Sequence, residues 1–529
     1  MSSDYLIIGA GSAGCVLANR LSANPGTRVV LLEAGPSDNS ALVRTPVGII
    51  QLMRSRRRNW RYWTEPQVHL NGRRLYIPRG KMLGGSSAVN AMIYTRGHPT
   101  DYDHWAELGN RGWAWQDVLP IFRRSEGNAR GADAFHGADG PLKVSDLAWA
   151  HPVSDAFVEA GREAGIEVND DFNGARQEGI GRYQVTQLGG ERCSVARAYL
   201  APARQRPNLE VLTGARASRL LLDGKRAVGA EYVLDGRTER AQAGTVILCG
   251  GAINSPQLLL LSGIGAREEV EPHGIRLRHE LPGVGRNLHD HPDVLVVHRS
   301  RRHDTLSLGP ASLPRALKSL VRYARHRDGA LASNVAESGG FIKSRASEPV
   351  PDLQLHLSAA LLDNHGLNWK FSLGWGYSAH VAVLRPGSRG SVRLRDANPV
   401  SPPAIDPNLL DHPDDLECLL RGVRCTRDIL AQDALAPWRG SEIFPGSEVH
   451  GEAALRAFIR RKVETIYHPV GTCKMGHDDQ AVVDDTLKVH GMDGLWVVDA
   501  SIMPTLIGGN TNAPVVMIAE KAADGFLGQ

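Results

Sequence analysis

An α/β fold is predicted by three features of this 529-residue chain. The first is a unit near its start. Apolar Leu6-Ile7-Ile8 reads as a short buried strand, Gly9-Ala10-Gly11-Ser12-Ala13-Gly14 as a tight turn, and Cys15-Val16-Leu17-Ala18 as the start of a helix. A second strand, Arg28-Val29-Val30-Leu31-Leu32, then ends in Glu33. The second feature is a further buried strand, Thr245-Val246-Ile247-Leu248-Cys249, stopped by Gly250-Gly251. The third is a middle region of different texture, where Leu353-Gln354-Leu355-His356-Leu357 and Ser391-Val392-Arg393-Leu394-Arg395 alternate with period two, as half-buried antiparallel strands do. Together they predict a Rossmann-like domain built from both ends of the chain, with an antiparallel-sheet α+β domain inserted.

The opening unit carries the strongest signal. Glycines at that spacing allow a tight turn, close approach of backbone to a pyrophosphate, and packing of helix on strand. The helix N-terminus offers N–H groups and a positive dipole end to phosphates. Glu33 stands where an acid accepts hydrogen bonds from a ribose, and it would repel a ribose 2′-phosphate, so NADP is disfavoured. A dinucleotide site is therefore expected here.

The stretch to about Leu75 is rich in Arg, Pro and Trp and reads as an irregular excursion. The loop 78–87, with Gly80, Gly84, Gly85, Ser86 and Ser87, holds too many small residues for core and suits contact with a ligand. Leu209–Leu212 is a short strand, and Leu220–Leu222, Asp223-Gly224 and Ala227–Ala230 form a hairpin. Ser255-Pro256 begins a helix through Leu261, because proline suits a first turn. Asp414–Leu430 and Glu452–Val463 read as amphipathic helices. Leu495–Val498 is a strand ending in Asp499, followed by a Gly/Asn loop and a helix from Pro514 to Ala523. The boundaries expected are 1–155, 196–290 and 465–529 for the dinucleotide domain, and 156–195 and 291–464 for the substrate domain.

Composition narrows the function. Apolar content of 42% and charged content of 22% are those of a soluble globular protein. A net charge of +4 is too small for a dedicated nucleic-acid binder. The six cysteines are scattered without a CxxC pair, which points to a reducing compartment rather than a disulfide framework. No signal peptide and no membrane-spanning run is visible, so a cytoplasmic protein is expected. Arg54, Arg56, Arg57, Arg58 and Arg61 cluster beside Trp60 and Trp63. That cluster reads as a solvated loop whose arginines pair with local carboxylates; a peripheral contact with the inner face of the cytoplasmic membrane stays open.

Two positions attract a catalytic reading. His468 lies among small residues in Tyr467-His468-Pro469-Val470-Gly471-Thr472, held out of a helix by Pro469. Its unperturbed pKa suits proton transfer near neutrality. Asn510-Thr511-Asn512 precedes Pro514, and Asn512 stands near an N-cap position, while a cap leaves Asn510 unexplained. His289-Asp290-His291 could suggest a metal, but no metal site is expected. Neither a G-x-S-x-G elbow nor an H-E-x-x-H zinc motif occurs.

Four stretches in order now match one family. Gly80-Lys81-Met82-Leu83-Gly84-Gly85-Ser86-Ser87-Ala88-Val89-Asn90 is similar to the first signature of the glucose–methanol–choline (GMC) oxidoreductases. The run from Gly251 to Gly265 is similar to the second. The His468-Pro469-Val470-Gly471-Thr472 stretch and Val498-Asp499-Ala500-Ser501-Ile502-Met503-Pro504 complete the resemblance, which spans nearly the whole chain. In finer wording it resembles bacterial FAD-dependent alcohol dehydrogenases of alkane-degradation pathways and choline-dehydrogenase-like proteins.

The resemblance implies a GMC fold and FAD rather than NAD. It implies Gly9, Gly11, Ser12, Gly14, Glu33 and Ala34 around the ADP half. Gly84, Gly85, Asn90, Ala91, Met92 and Ile93 are implied along pyrophosphate and flavin, Ala217 near adenine, and Asp499, Ala500 and Asn512 at the ribityl chain and ring. His468 is implied as the catalytic base and Asn510 as its partner, a position that is His in some members. Some relatives attach flavin through a histidine just before the asparagine matching Asn90; Val89 stands there, so noncovalent FAD is expected. The implied reaction oxidises primary aliphatic or aromatic alcohols to aldehydes by hydride transfer to flavin N5. Electrons pass to a quinone-type or other acceptor. An oxygen-using alcohol oxidase and a flavin-containing hydroxynitrile-lyase-like enzyme are the alternatives. Val335, Phe371 and Trp375 are the expected pocket-lining side chains.

Overall fold

Two seven-stranded sheets organise the computed structural model, which describes residues 2–528. The first runs in the order Leu209–Thr213, Val29–Glu33, Ser2–Ile8, Arg237–Leu248, Arg226–Leu234, Arg216–Asp223. Its left half is parallel: Tyr5–Ile8 pairs with Val29–Leu32 on one side and Thr245–Leu248 on the other. Strands buried on both faces must be apolar throughout, and Val29–Glu33 is buried at every position. The strand Arg237–Leu248 is longer than predicted and serves two neighbours along one edge. Its first half pairs antiparallel with Arg226–Leu234 and its end pairs parallel with Leu495–Val497. The predicted hairpin is present, Asp223 facing Arg226 across its turn.

The second sheet runs Arg439–Phe444, Pro292–Ser300, Gly376–Val383, Leu353–Ser358, Ser338–Ile342, Gly179–Arg182, antiparallel throughout, with Glu464–Thr465 beside Pro292 and Asp293. Six helices frame the space between the sheets and its surroundings: α1 (Ser12–Leu21), α2 (Gly251–Leu261), α3 (Leu313–His326), α4 (Pro413–Leu430), α5 (Glu452–Lys462) and α6 (Asn512–Leu527). α1 packs beside α6, and Arg20 pairs with both Glu520 and Asp524. α4 and α5 back the second sheet through Leu416, Leu419, Val423, Leu455 and Ile459. No described helix is long and apolar enough to cross a membrane. All six cysteines are free, five of them buried.

Four readings of the sequence need correction. Leu353–Ser358 is buried on both faces, because Gln354 and His356 turn toward the interior instead of water, His356 lining an internal cavity. Ser391–Arg393 leaves the large sheet and pairs with Ala404–Asp406 in a ribbon of its own. There Val392 and Ile405 join Ile253 and Leu288 in a small core. α2 begins at Gly251, not Ser255, so Pro256 is interior. Proline removes the hydrogen bond to the carbonyl four residues back, that of Ala252. The Thr472 hydroxyl supplies it instead, donating to the Ala252 carbonyl at 2.6 Å. α6 begins at Asn512, making that asparagine its first residue rather than a cap; Thr511 occupies the cap position.

Candidate active site

A cavity of about 800 Å³ lies between the two sheets. At one end it is floored by the turn after Ser2–Ile8. A Cβ on Gly9 would stand 2.5 Å from the Cys249 carbonyl oxygen, and one on Gly14 would stand 1.9 Å from the Gly9 carbonyl oxygen. Neither position tolerates a side chain, and Gly9 adopts φ +107, open mainly to glycine. Gly9, Gly11, Ser12, Glu33, Ala34 and Ala217 line this end. Gly14 and Gly84 do not: Gly14 seats α1 against the sheet, and Gly84 donates its N–H to the Ala10 carbonyl at 2.8 Å.

Three helix N-termini, those of α1, α2 and α6, converge on the cavity, and none is capped by the side chain of its own N-cap residue. Those of α1 and α6 offer first-turn N–H groups and positive dipole ends to an anion, while that of α2 already faces the Asp499 carboxylate. Ser12 Oγ donates to Asn512 Oδ1 at 2.7 Å and ties α1 to α6. Glu33 accepts from the N–H groups of Ala10 (3.0 Å) and Gly35 (2.8 Å). Burial raises its pKa to about 7. A carboxylate has about four acceptor positions, so two remain for hydroxyls. This glycine cradle, anion-receptive floor and buried acid fit the adenosine and pyrophosphate of a dinucleotide.

Gly85, Asn90, Ala91, Met92 and Ile93 line the middle of the cavity, and Asp499, Ala500 and Asn512 its opposite wall. Asp499 is already engaged: it accepts from the N–H groups of Gly251 and Ser501, both at 2.8 Å, and from Ser255 Oγ at 2.6 Å. It thereby fixes the start of α2.

His468 and Asn510 meet at the far end. Asn510 Nδ2 lies 3.2 Å from His468 Nε2. The hydrogen bonds around the pair determine the tautomer. Asn510 Oδ1 accepts from Gln354 Nε2 (3.1 Å) and the Thr95 hydroxyl (3.3 Å), so Nδ2 is the atom turned toward the imidazole. Nδ2 only donates, so His468 Nε2 carries a lone pair. The proton therefore sits on Nδ1, which faces His291 Nδ1 at 3.0 Å. His291 accepts there and donates through Nε2 to the Ile507 carbonyl at 3.1 Å. A carbonyl only accepts, and that fixes the whole chain of protons. Burial, followed by His291, His356 and Arg79, holds the His468 pKa well below the ordinary range, and burial lowers His291 to about 3. Both rings are neutral at neutral pH. His468 is a neutral base whose Nε2 lone pair accepts from Asn510 at the cavity wall.

The backbone beneath His468 is also held. Asp290 Oδ1 accepts from the N–H of His468 at 2.8 Å and from that of His291 at 2.9 Å. Arg79 donates to the Tyr467 carbonyl at 2.8 Å, and Tyr467 adopts φ 70, sparsely populated for such a residue. No group of metal-ligating residues occurs among the described residues.

Several site residues carry no legible signal in the sequence. There His291 reads only as part of His289-Asp290-His291, a metal-like motif that is set aside. Gln354, which orients Asn510, and Arg192, which donates to the Asn90 carbonyl (2.6 Å) and Oδ1 (2.8 Å), give none at all. Trp60 reads with the arginine cluster, yet it lines the cavity, stacked on Tyr62 with Lys81 and Arg216 over its ring. Arg54 of that cluster bonds the Gly366 carbonyl. Of the three expected pocket residues, Val335 and Trp375 line the cavity. Phe371 does not; it stacks on Phe444, rings 5.3 Å apart.

Comparison with known proteins agrees with this geometry. Residues 3–293 and 386–519 match two family models, each described as GMC oxidoreductase. The chain is 48% identical to an alcohol dehydrogenase [acceptor] from Pseudomonas putida, over 98% of this chain and 95% of that one. It is 45% identical to the mitochondrial choline dehydrogenase of Homo sapiens, over 99% and 90% respectively. Among solved structures, an FAD-dependent oxidoreductase from Chaetomium thermophilum superposes with a TM-score of 0.88 at 26% identity, covering 99% of each chain.

Proposed function

The chain belongs to the GMC oxidoreductase family, and we propose that it oxidises neutral primary alcohols to aldehydes with noncovalently held FAD. When bound, FAD supplies the hydride-accepting chemistry. Gly9, Gly11, Ser12 and Glu33 would hold its adenosine half, with Gly85, Asn90–Ile93, Ala500 and Asn512 along the rest. Val89 offers no atom for a covalent link.

The observation that carries the proposal is the neutral, tautomer-fixed imidazole of His468 beside Asn510. An alcohol hydroxyl seated against the pair takes over the hydrogen bond between them: it accepts from Asn510 Nδ2 and gives its proton to His468 Nε2. Asn510 stabilises the negative charge that develops on the oxygen. Because Gln354 and Thr95 already fix the amide, little reorganisation is needed when the proton moves.

The lining charges favour a neutral substrate over a quaternary ammonium. Arg79, held on the Tyr467 carbonyl next to His468, lines the cavity. Its lining carboxylates are engaged elsewhere: Glu33 and Asp499 as above, and Asp304 with Trp438 Nε1 (3.1 Å) and Arg302 (3.0 Å). A cationic alcohol would meet like charge without a free carboxylate. Electrons pass on to a quinone-type acceptor, in keeping with the acceptor-dependent relative from Pseudomonas putida.

An anaerobic screen of alcohols against the purified flavoprotein tests this. Neutral primary alcohols bleach the flavin, and choline does not. His468→Ala slows bleaching by at least about 100-fold while FAD stays bound. If no alcohol bleaches the flavin, the assignment fails; near-normal bleaching in the variant removes His468 from its role.

A further inference from the structure

Helix α3 departs from the pattern of a surface helix. Such helices turn their apolar stripe toward the core. In α3, Leu313, Leu317, Leu320 and Val321 stand at i, i+4, i+7 and i+8 on one face, and all four are more than half exposed to solvent, Leu313 at 60%. Only Tyr323 is buried. A 14-residue helix is marginal in water unless a face is packed. Among the described residues, the apolar stripe of α3 has no core to pack on. Trp369 (49% exposed) and Leu373 lie in the segment beside its start, where the Leu308 N–H bonds the Ser372 carbonyl. These six make up nearly half of the fourteen exposed large apolar side chains in the described chain. So large a cluster is not scattered surface apolarity.

Charge indicates what covers it. α3 contains Arg315, Lys318, Arg322 and Arg325 and no acidic residue. Lys318 and Arg325 are exposed. Arg315 lies over the Trp375 ring, and Arg322 pairs with Asp328. Leucines on one face with cations flanking them are the pattern of a helix lying in an anionic lipid interface, its apolar side in the acyl boundary and its basic side chains at the headgroups. On its inward side, Ala316 and Ser319 line the catalytic cavity.

We propose that α3, with Trp369 and Leu373, docks the protein on an anionic lipid bilayer and sets the cavity against the membrane, where apolar alcohols and a lipid-soluble acceptor are concentrated. The docking surface is thus α3 and not the arginine cluster at 54–61. This rests on the helix alone and does not require the reaction proposed above.

Flotation of the holoenzyme with vesicles tests it. The protein floats with phosphatidylcholine vesicles containing phosphatidylglycerol, less with phosphatidylcholine alone, and less as salt is raised. Leu317→Asp/Leu320→Asp lowers partitioning at least about tenfold, since two leucines lose their apolar burial. The same variant oxidises a water-soluble alcohol with a soluble dye at the wild-type rate, because neither leucine lines the cavity. Arg325→Gln weakens binding to the anionic vesicles only. The proposal is overturned if the wild type does not float with anionic vesicles, or if the double variant floats equally well. It is also overturned if the wild type is a dimer that the double variant dissolves, for then a second copy covers the face.

Discussion

Replacing His291 by leucine is the sharpest test of the proton chain. His291 touches neither the cavity nor the substrate position; its work is to accept the Nδ1 proton of His468 at 3.0 Å. Without that acceptor, a buried N–H loses its partner, at a cost of about 1–3 kcal/mol. The same energy is one of two interactions that favour the tautomer with a lone pair on Nε2, the other being the Asn510 Nδ2 donor. With His291 gone the Nδ1–H form loses that advantage, while Asn510 still opposes a proton on Nε2, so the fraction of competent base falls by no more than this energy allows. At about 1.4 kcal/mol per tenfold, the saturating rate of flavin reduction falls by about 5-fold at the low end of that range and by no more than about 150-fold. The apparent alcohol affinity stays near wild type because Asn510 and the cavity wall are untouched. The assay is anaerobic stopped-flow reduction across alcohol concentration, with FAD content measured in parallel. His291→Gln, whose side-chain carbonyl is an acceptor, recovers part of the rate. Wild-type reduction in His291→Leu, with FAD bound, would refute the tautomer argument.

Three further outcomes rest on the same geometry. Since the base must be unprotonated and burial and positive neighbours depress the His468 pKa, flavin reduction should hold steady as pH falls from neutrality and decline only below 6.5; a midpoint at or above 6.5 in the rate profile contradicts this. Gly14→Ala forces a Cβ to within 1.9 Å of the Gly9 carbonyl and displaces α1, so the purified variant carries little FAD; full flavin content by absorbance counts against the cradle. Thr472→Val strands the Ala252 carbonyl that Pro256 cannot serve, lowering stability by about 1–3 kcal/mol in a denaturant titration, and an unchanged midpoint shows the carbonyl finds another donor.

Much of the fold can be read from local pattern. The uninterrupted apolar run Val29–Leu32 and the glycines at 9, 11 and 14 specify a buried parallel strand and the turn before α1, because both constraints act within a few residues. The misreadings share a different cause. Leu353-Gln354-Leu355-His356-Leu357 alternates as an exposed strand would, yet its polar side chains face an interior that no local signal announces. Pro256 looks like a helix start because the donor replacing its N–H is 220 residues away, counted from Thr472 to Ala252. His291 and Gln354 act on the candidate site across 177 and 156 residues, and spacing carries no trace of such pairings. Residues that touch a ligand by their backbone or small size are readable; residues that orient other side chains are not.

The hydrogen bond from Ser12 to Asn512 joins positions 500 residues apart, and the strand Leu495–Val497 completes the sheet that Ser2–Ile8 begins. During synthesis the first βαβ unit leaves the ribosome early, with its cradle open on one side. Nearly the entire polypeptide must emerge before that wall exists. The closed cavity is consequently a property of the finished polypeptide, and a chain truncated before residue 512 keeps the glycine turn after Ser2–Ile8 but lacks the α6 wall that Ser12 is tied to.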